Sequence, residues 1–233
     1  MLATLVVAAM MPLAFMLREP APAIHAPGSQ QSAGEAIREA FAYRPFQLLV
    51  AGYFVCGFHV VFIGVHLPAY LKDQGIVDPQ VAVIALALIG LFNIVGSFMA
   101  GNLGGRLPKP LLLSAIYFIR ALIIAAFVFA PLSPLSVYLF AAAMGLLWLS
   151  TVPLTNGVIA SMFGVRHLSM LAGVVFFSHQ LGSVLGVWLG GHLFTLQGSY
   201  DTVWMITIAL GIAAALLNLP ISEAPVARRS ATA

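Results

Sequence analysis

His179 and Gln180 stand side by side in "FFSHQLGSVLGVWLGGHLF", Phe176 to Phe194, a run apolar enough to cross a bilayer. A neutral imidazole beside an amide offers both donors and acceptors, so the pair can hold a carboxylate or a hydroxyl. In the same run Ser178, Gly182, Gly186 and Gly190 recur at every fourth position and share one helical stripe, the spacing that lets membrane helices approach closely. His179 lies one step round from that stripe, which leaves one face for packing and the adjoining face for binding. Two readings of the pair stay open on the residues alone: substrate contact, or hydrogen bonds that bridge neighbouring helices.

Residues in such a run have to be positioned by other membrane helices. The chain has 233 residues, 61% hydrophobic and only 7% charged, with mean hydropathy +1.04, more apolar surface than a soluble domain of this size can hide. It reads as an all-α, polytopic membrane protein. The net charge of +3 comes from basic residues scattered singly and in loops, which excludes the clustered patches of a nucleic-acid partner. Cys56 is the one cysteine and cannot form an intramolecular disulfide.

Six runs are long enough to span: Phe46 to Tyr70, Pro79 to Gly101, Leu111 to Ala130, Leu135 to Met162, Leu168 to Phe194 and Thr202 to Pro220. Together they make a bundle over 45–221, with a tail at 222–233. Ahead of them, 1–17 is apolar but short, has no basic residue before it and is followed by Arg18 and Glu19, so it reads as a partial span rather than a signal peptide. The intervening 18–44, "REPAPAIHAPGSQQSAGEAIREAFAYR" from Arg18, has a linker's composition with a short amphipathic helix from Ala33 to Tyr43. If the spans alternate, Arg18, Arg38, Arg44, Arg106, Lys109, Arg166, Arg228 and Arg229 share one side and Lys72 the other, which predicts a cytoplasmic linker and C-terminus.

Near the middle of the spans lie His59, Asn93, Arg120, Trp148, Thr151, His179 and Gln180, drawn from five spans at one depth. Polar residues at that depth face a bundle interior or a water-filled cavity. Arg120, the full charge within a span, either forks onto an anionic substrate or bonds backbone carbonyls or a side chain of an adjacent helix. Asn93, Thr151, Thr155 and Asn156 are further polar candidates, and Pro153 frees a carbonyl and predicts a kink beside Thr151. Trp148 either stacks on a solute or fills space. His66 and His192 lie toward the outer surface, where an interfacial imidazole needs no functional account.

A partial span, a long linker and six spans with both ends inside is the layout of the second half of a twelve-helix transporter. "GNLGGRLPKP", Gly101 to Pro110, resembles the second-half loop motif of the major facilitator superfamily, with Gly101, Gly105, Arg106 and Lys109 in order and Gly105 where an acidic residue often stands. "GYFVCGFHVVFIGVHLPAYLKDQG" and "FSHQLGSVLGVWLGGHLFTLQGSYD" are similar to the seventh and eleventh helices of a bacterial branch related to monocarboxylate and oxalate/formate porters. The resemblance implies that 1–17 is the end of a sixth helix, that the partner is an N-terminal six-helix half, and that substrate binds at the midplane between the halves. It also implies a bacterial inner membrane, substrate contact at His179, Gln180, His59, Asn93, Arg120 and Thr151, and packing or gating at Gly182, Gly186, Gly190, Gly101, Gly105 and Arg106.

The expected function is secondary transport of a small organic solute by alternating access. An organic anion is favoured, because the mid-span residues include Arg and His but no carboxylate. No enzyme activity, cofactor or metal is expected. The alternative is a six-helix haem protein, but His59 and His66 are seven positions apart whereas His179 and His192 are thirteen apart, roughly 10 against 20 Å of helix rise, a mismatch for paired haems. An intramembrane hydrolase ranks below both, since neither a Gly-x-Ser-x-Gly elbow nor a His-Glu-x-x-His pair occurs.

Overall fold

Proline and glycine punctuate this chain. Pro45, Pro79, Pro110 and Pro134 each stand in the first turn of a helix, where the missing N–H has no intrahelical partner to lose. Gly75, Gly164 and Gly198, with φ of 86°, 78° and 69°, turn the chain out of the helices that end before them. A computed structural model describes residues 31–226. The partial span at 1–17, the linker as far as residue 30, and the tail beyond 226, with Arg18, Arg228 and Arg229, lie outside the described residues.

The helices are α1 (Ala33–Ala42), α2 (Arg44–Asp73), α3 (Pro79–Gly104), α4 (Lys109–Phe129), α5 (Pro134–Leu147), α6 (Thr151–Phe163), α7 (Leu168–Gln197) and α8 (Asp201–Asn218). α5 and α6 together make one span, so six spans cross, as expected from the apolar runs. Their starts are chemically marked. Asp78 accepts from the Gln80 amide at 2.9 Å ahead of α3, and Ser133 and Ser136 cap the start of α5 reciprocally.

α2 packs chiefly on α7, α3 on α5, and α4 on α8. The core falls into two apolar clusters. One, toward the end where the chain exits, holds Phe46, Leu49, Leu113, Tyr117, Val158, Met162 and Leu171. The other, toward the opposite end, holds Phe62, Tyr70, Ile124, Phe127, Phe140 and Trp204. Between them lies a layer of buried polar residues: His59, Arg120, Ser150, Thr151, His179, Ser183 and Thr207.

Alternation of the spans puts Arg38, Arg44, Arg106, Lys109 and Arg166 at one end and Lys72 at the other. The residues after α8 return across the basic end. The Val226 amide donates to the Met162 carbonyl at 3.0 Å, and Glu223 accepts from both the backbone N–H and the Nζ of Lys109. Glu223 thereby caps the positive end of α4 with a carboxylate. Because the pair is about a quarter exposed (23% and 25%), Glu223→Gln is expected to cost about 1 kcal/mol, a loss that shrinks in high salt. Thermal melts at two ionic strengths check this, and equal melting of the two proteins at low salt would contradict it.

Candidate functional site

The span made of α5 and α6 is interrupted at residues 148–150. Pro153 in the first turn of α6 has no N–H to offer the Leu149 carbonyl, and that carbonyl takes the Val152 amide at 3.0 Å instead. A break in the bilayer core leaves backbone groups that no water can satisfy. Side chains from three places supply the partners. Arg120 Nη2 donates to the carbonyls of Leu147 and Trp148, Asn93 Oδ1 accepts from the Leu149 amide at 3.0 Å, and the Ser150 hydroxyl donates to the Leu146 carbonyl at 2.6 Å. Arg120 is fully buried, lies over the Tyr117 ring at 5.4 Å, and reaches Cys56 Sγ at 3.6 Å through Nη1. Thr151 turns its hydroxyl to the same sulfur at 3.2 Å.

His59 points away from this break, into the contact between α2 and α8. Its Nε2 meets the Thr207 carbonyl at 2.9 Å, and since a carbonyl only accepts, Nε2 carries the proton. The ring is fully buried, and Gly211 leaves room for it. Four residues expected to touch substrate, His59, Asn93, Arg120 and Thr151, therefore spend polar atoms on the bundle itself. Asn93 is half-buried, and its Oδ1 also accepts from Ser97 at 3.2 Å.

His179 and Gln180 are arranged differently. His179 Nδ1 lies 3.2 Å from Gln180 Oε1, so the N–H is on Nδ1 unless the amide is turned, and the Ser183 hydroxyl stands 3.4 Å away. The imidazole stacks on Phe176 with centroids 5.3 Å apart and leans on Tyr53 at 5.3 Å. Gln180 itself is exposed. Next to this group opens a cavity of about 280 Å³ lined by Tyr53, Val152, Thr155, Asn156, Ala172, Gly173, Val175 and Phe176. The Thr155 hydroxyl is buried and has no partner among the described residues, whereas Asn156 is exposed. Tyr53 is the residue that sequence reading missed. It sits one turn before Gly57, whose absent side chain admits the His179 backbone, so that spacing carried the signal.

The small-residue stripe of α7 faces α2. A Cβ on Gly182 would overlap the Phe54 carbonyl, one on Gly186 would press on Phe58, and one on Gly190 would meet His66 and Phe62. Ser178 adds a hydrogen bond to the Val50 carbonyl at 2.8 Å. Among the described residues a Cβ on Gly101 would have nothing within 4 Å, and one on Gly105 would meet only the carbonyl of Asn102 in its own turn. Arg106 is exposed in the loop between α3 and α4. Toward the far end, His66 bonds the Val187 carbonyl and Tyr200, while His192 stacks on Trp188. Trp148 lies half-buried at the break, its ring 4.0 Å from the space above Gly64. Among the described residues no group of three or more His, Cys, Asp or Glu could hold a metal ion.

No family model matches the chain. Three curated proteins are similar to it. An MFS-type transporter of Bacillus subtilis (strain 168), YcxA, is 28% identical over 212 residues, covering 84% of this chain and 50% of that protein. Monocarboxylate transporter 13 of Rattus norvegicus is 30% identical over 160 residues, 67% of this chain and 37% of that protein. Monocarboxylate transporter 13 of Bos taurus is 27% identical over 207 residues, 85% and 46% respectively. The chain spans about half the length of the curated relatives it matches, or less.

Proposed function

The chain belongs to the major facilitator superfamily and has the six-span architecture of the C-terminal half of such a transporter, and from that premise we propose that it forms one wall of a pathway for a small organic anion. The observation that carries this reading is the 280 Å³ cavity beside His179 and Gln180, with the unpaired Thr155 hydroxyl in its lining. The Tyr53 and Thr155 hydroxyls and the Asn156 amide lie in the cavity lining as donors, and His179, packed on Tyr53 and Phe176, adjoins it with Gln180. Val152, Ala172, Val175 and Phe176 supply apolar surface in the same lining. Donor groups beside apolar surface suit a carboxylate with a short carbon skeleton.

Charge supports an anion over a cation. Arg120 is buried behind this wall, and among the described residues every Asp and Glu lies at a helix end, in a loop, in α1 or in the tail. Two of the relatives carry the name monocarboxylate transporter. Alternating access requires an opposite wall, supplied by an N-terminal six-helix half. Proton coupling, where present, uses His179 or a carboxylate of that half. By the positive-inside rule the basic end faces the cytoplasm, and the resemblance to a bacterial branch implies an inner membrane. The haem alternative is not favoured: the relatives are transporters, and His59 and His66 are already bonded to backbone carbonyls.

Uptake of radiolabelled short-chain carboxylates by the native-length protein in vesicles tests the site. His179→Ala and Gln180→Ala are each expected to lower kcat/KM by about 10- to 100-fold, the loss of a hydrogen bond to a charged group. His192→Ala, out on the Trp188 ring, is expected to leave uptake unchanged. Full uptake in both of the first two variants removes them from the site.

A further inference from the structure

The span pairings leave α3 and α4 splayed apart. α3 leans on α5 and α4 on α8, so a crevice opens between α3 and α4 over the broken span. It has a volume of about 270 Å³ and an almost wholly apolar lining, in which Met99 and Leu103 of α3 face Ile116 and Ile119 of α4. Its floor is Leu146, Leu147 and Ser150, the residues at the break. Met99, Leu103 and Ile119 are 51%, 39% and 44% exposed, so the crevice is open to the outside of the bundle at bilayer depth. A dry apolar cavity of roughly 150 Å³ already takes benzene, so this one has room for a length of hydrocarbon chain.

Charge lies beyond the crevice's lining, at the basic end, where Arg106 shares a separate opening with Lys109, Leu219 and the Glu223 carboxylate. The loop of residues 105–108 joins α3 to α4 and so closes the basic end of the crevice. Arg106 in that loop is exposed and has no ion-pair partner among the described residues, while Lys109 is taken by Glu223. We propose that the crevice between α3 and α4 binds one acyl chain of an acidic phospholipid, with the lipid phosphate on Arg106. An acyl chain gains little hydrophobic free energy by leaving bulk lipid for an apolar crevice, since the two solvents are alike. Selectivity among lipids therefore resides in the contact between phosphate and guanidinium, a forked charge-assisted pair at the membrane surface. The chain end reaches Leu147 and Ser150 and buttresses the break from its lipid side, opposite the Arg120 guanidinium. The inference depends on the six spans and not on the proposed substrate.

The experiment places the native-length protein in vesicles containing phosphatidylglycerol with a diazirine part-way along one acyl chain, then photolyses and maps the adducts. Adducts are expected on Met99, Leu103, Ile116, Ile119 or Leu147 in excess of those on Leu139 and Leu216, which are lipid-facing but outside the crevice. Ala115→Phe, which fills the crevice, is expected to remove that excess. Arg106→Gln, a change on an exposed loop that folding tolerates, is expected to lower it about fivefold and to abolish preference over the phosphatidylcholine analogue. The proposal is overturned by adducts spread evenly over the lipid-facing residues, or by equal crevice labelling with both headgroups in the parent protein. Labelling of Leu139 and Leu216 with none in the crevice also overturns it, because protein then covers this face.

Discussion

Arg120→Met is expected to lower stability by about 2–4 kcal/mol, because two carbonyls at the break lose their donor inside the bilayer core. Two opposing effects bear on the size. Removing a buried guanidinium with no carboxylate beside it among the described residues relieves a desolvation cost. Against that, Leu147 and Trp148 present carbonyls that Arg120 Nη2 satisfies, and among the described residues no other side chain bonds to them. Healing the break into a continuous helix, as α2 is continuous through Pro68, would still leave the Leu149 carbonyl without a donor at Pro153. The unsatisfied pair therefore wins. Arg120→Lys, a single point donor on a shorter stem, reaches one carbonyl and recovers part of the loss. Cys56 is the chain's sole cysteine and is fully buried 3.6 Å from Arg120, so its alkylation on heating is a built-in readout of this region. A drop of about 5–15 °C in the midpoint of alkylation is expected for Arg120→Met. An unchanged midpoint means that the break does not depend on this side chain.

The same residues show what could be read in the sequence. The spans were legible because each is a long, predominantly apolar run with proline or glycine near an end, and both signals act locally. Depth was legible too. Position along a span places His59, Arg120, Thr151 and His179 near the middle, and the structure gathers them between the two apolar clusters.

Direction was not legible. A soluble helix announces its buried face by a polar opposite face, but these spans are apolar all round and give no such bearing. His59 could have faced a cavity or α8, and only the packing of α2 on both α7 and α8 decides that it meets the Thr207 carbonyl. The break was half legible: Pro153 signals a lost hydrogen bond, yet the non-helical residues fall before α6 begins, at 148–150, where Arg120 and Asn93 can reach the freed groups. The crevice between α3 and α4 had no sequence signal, because it arises from which helices pair and not from any one helix.

Glycine positions in these helices separate sharply by what stands opposite them. Gly57→Ala, Gly182→Ala and Gly96→Ala are each expected to destabilise by about 3 kcal/mol, the upper end for overpacking, since the new methyl group meets a carbonyl of a neighbouring helix. At Gly57 that carbonyl belongs to His179, at Gly182 to Phe54 and at Gly96 to Leu146. Backbone cannot rotate aside as a side chain does, so the helices must separate, and α2 with α7 or α3 with α5 lose contact along their length. Helix propensity favours alanine by only about 1 kcal/mol and does not compensate. A Cβ on Gly90 or Gly101 would meet nothing within 4 Å among the described residues, so alanine there is expected to keep the propensity gain and melt no lower than the parent. Gly101 then becomes informative about the opposite wall proposed above. Should Gly101→Ala slow uptake by the native-length protein while its melting temperature holds, the clash is with the N-terminal half, and the gating role expected for the Gly101 loop motif follows. Should both stay at parental values, Gly101 faces lipid, and the motif's function narrows to Arg106 and the turn at Gly105.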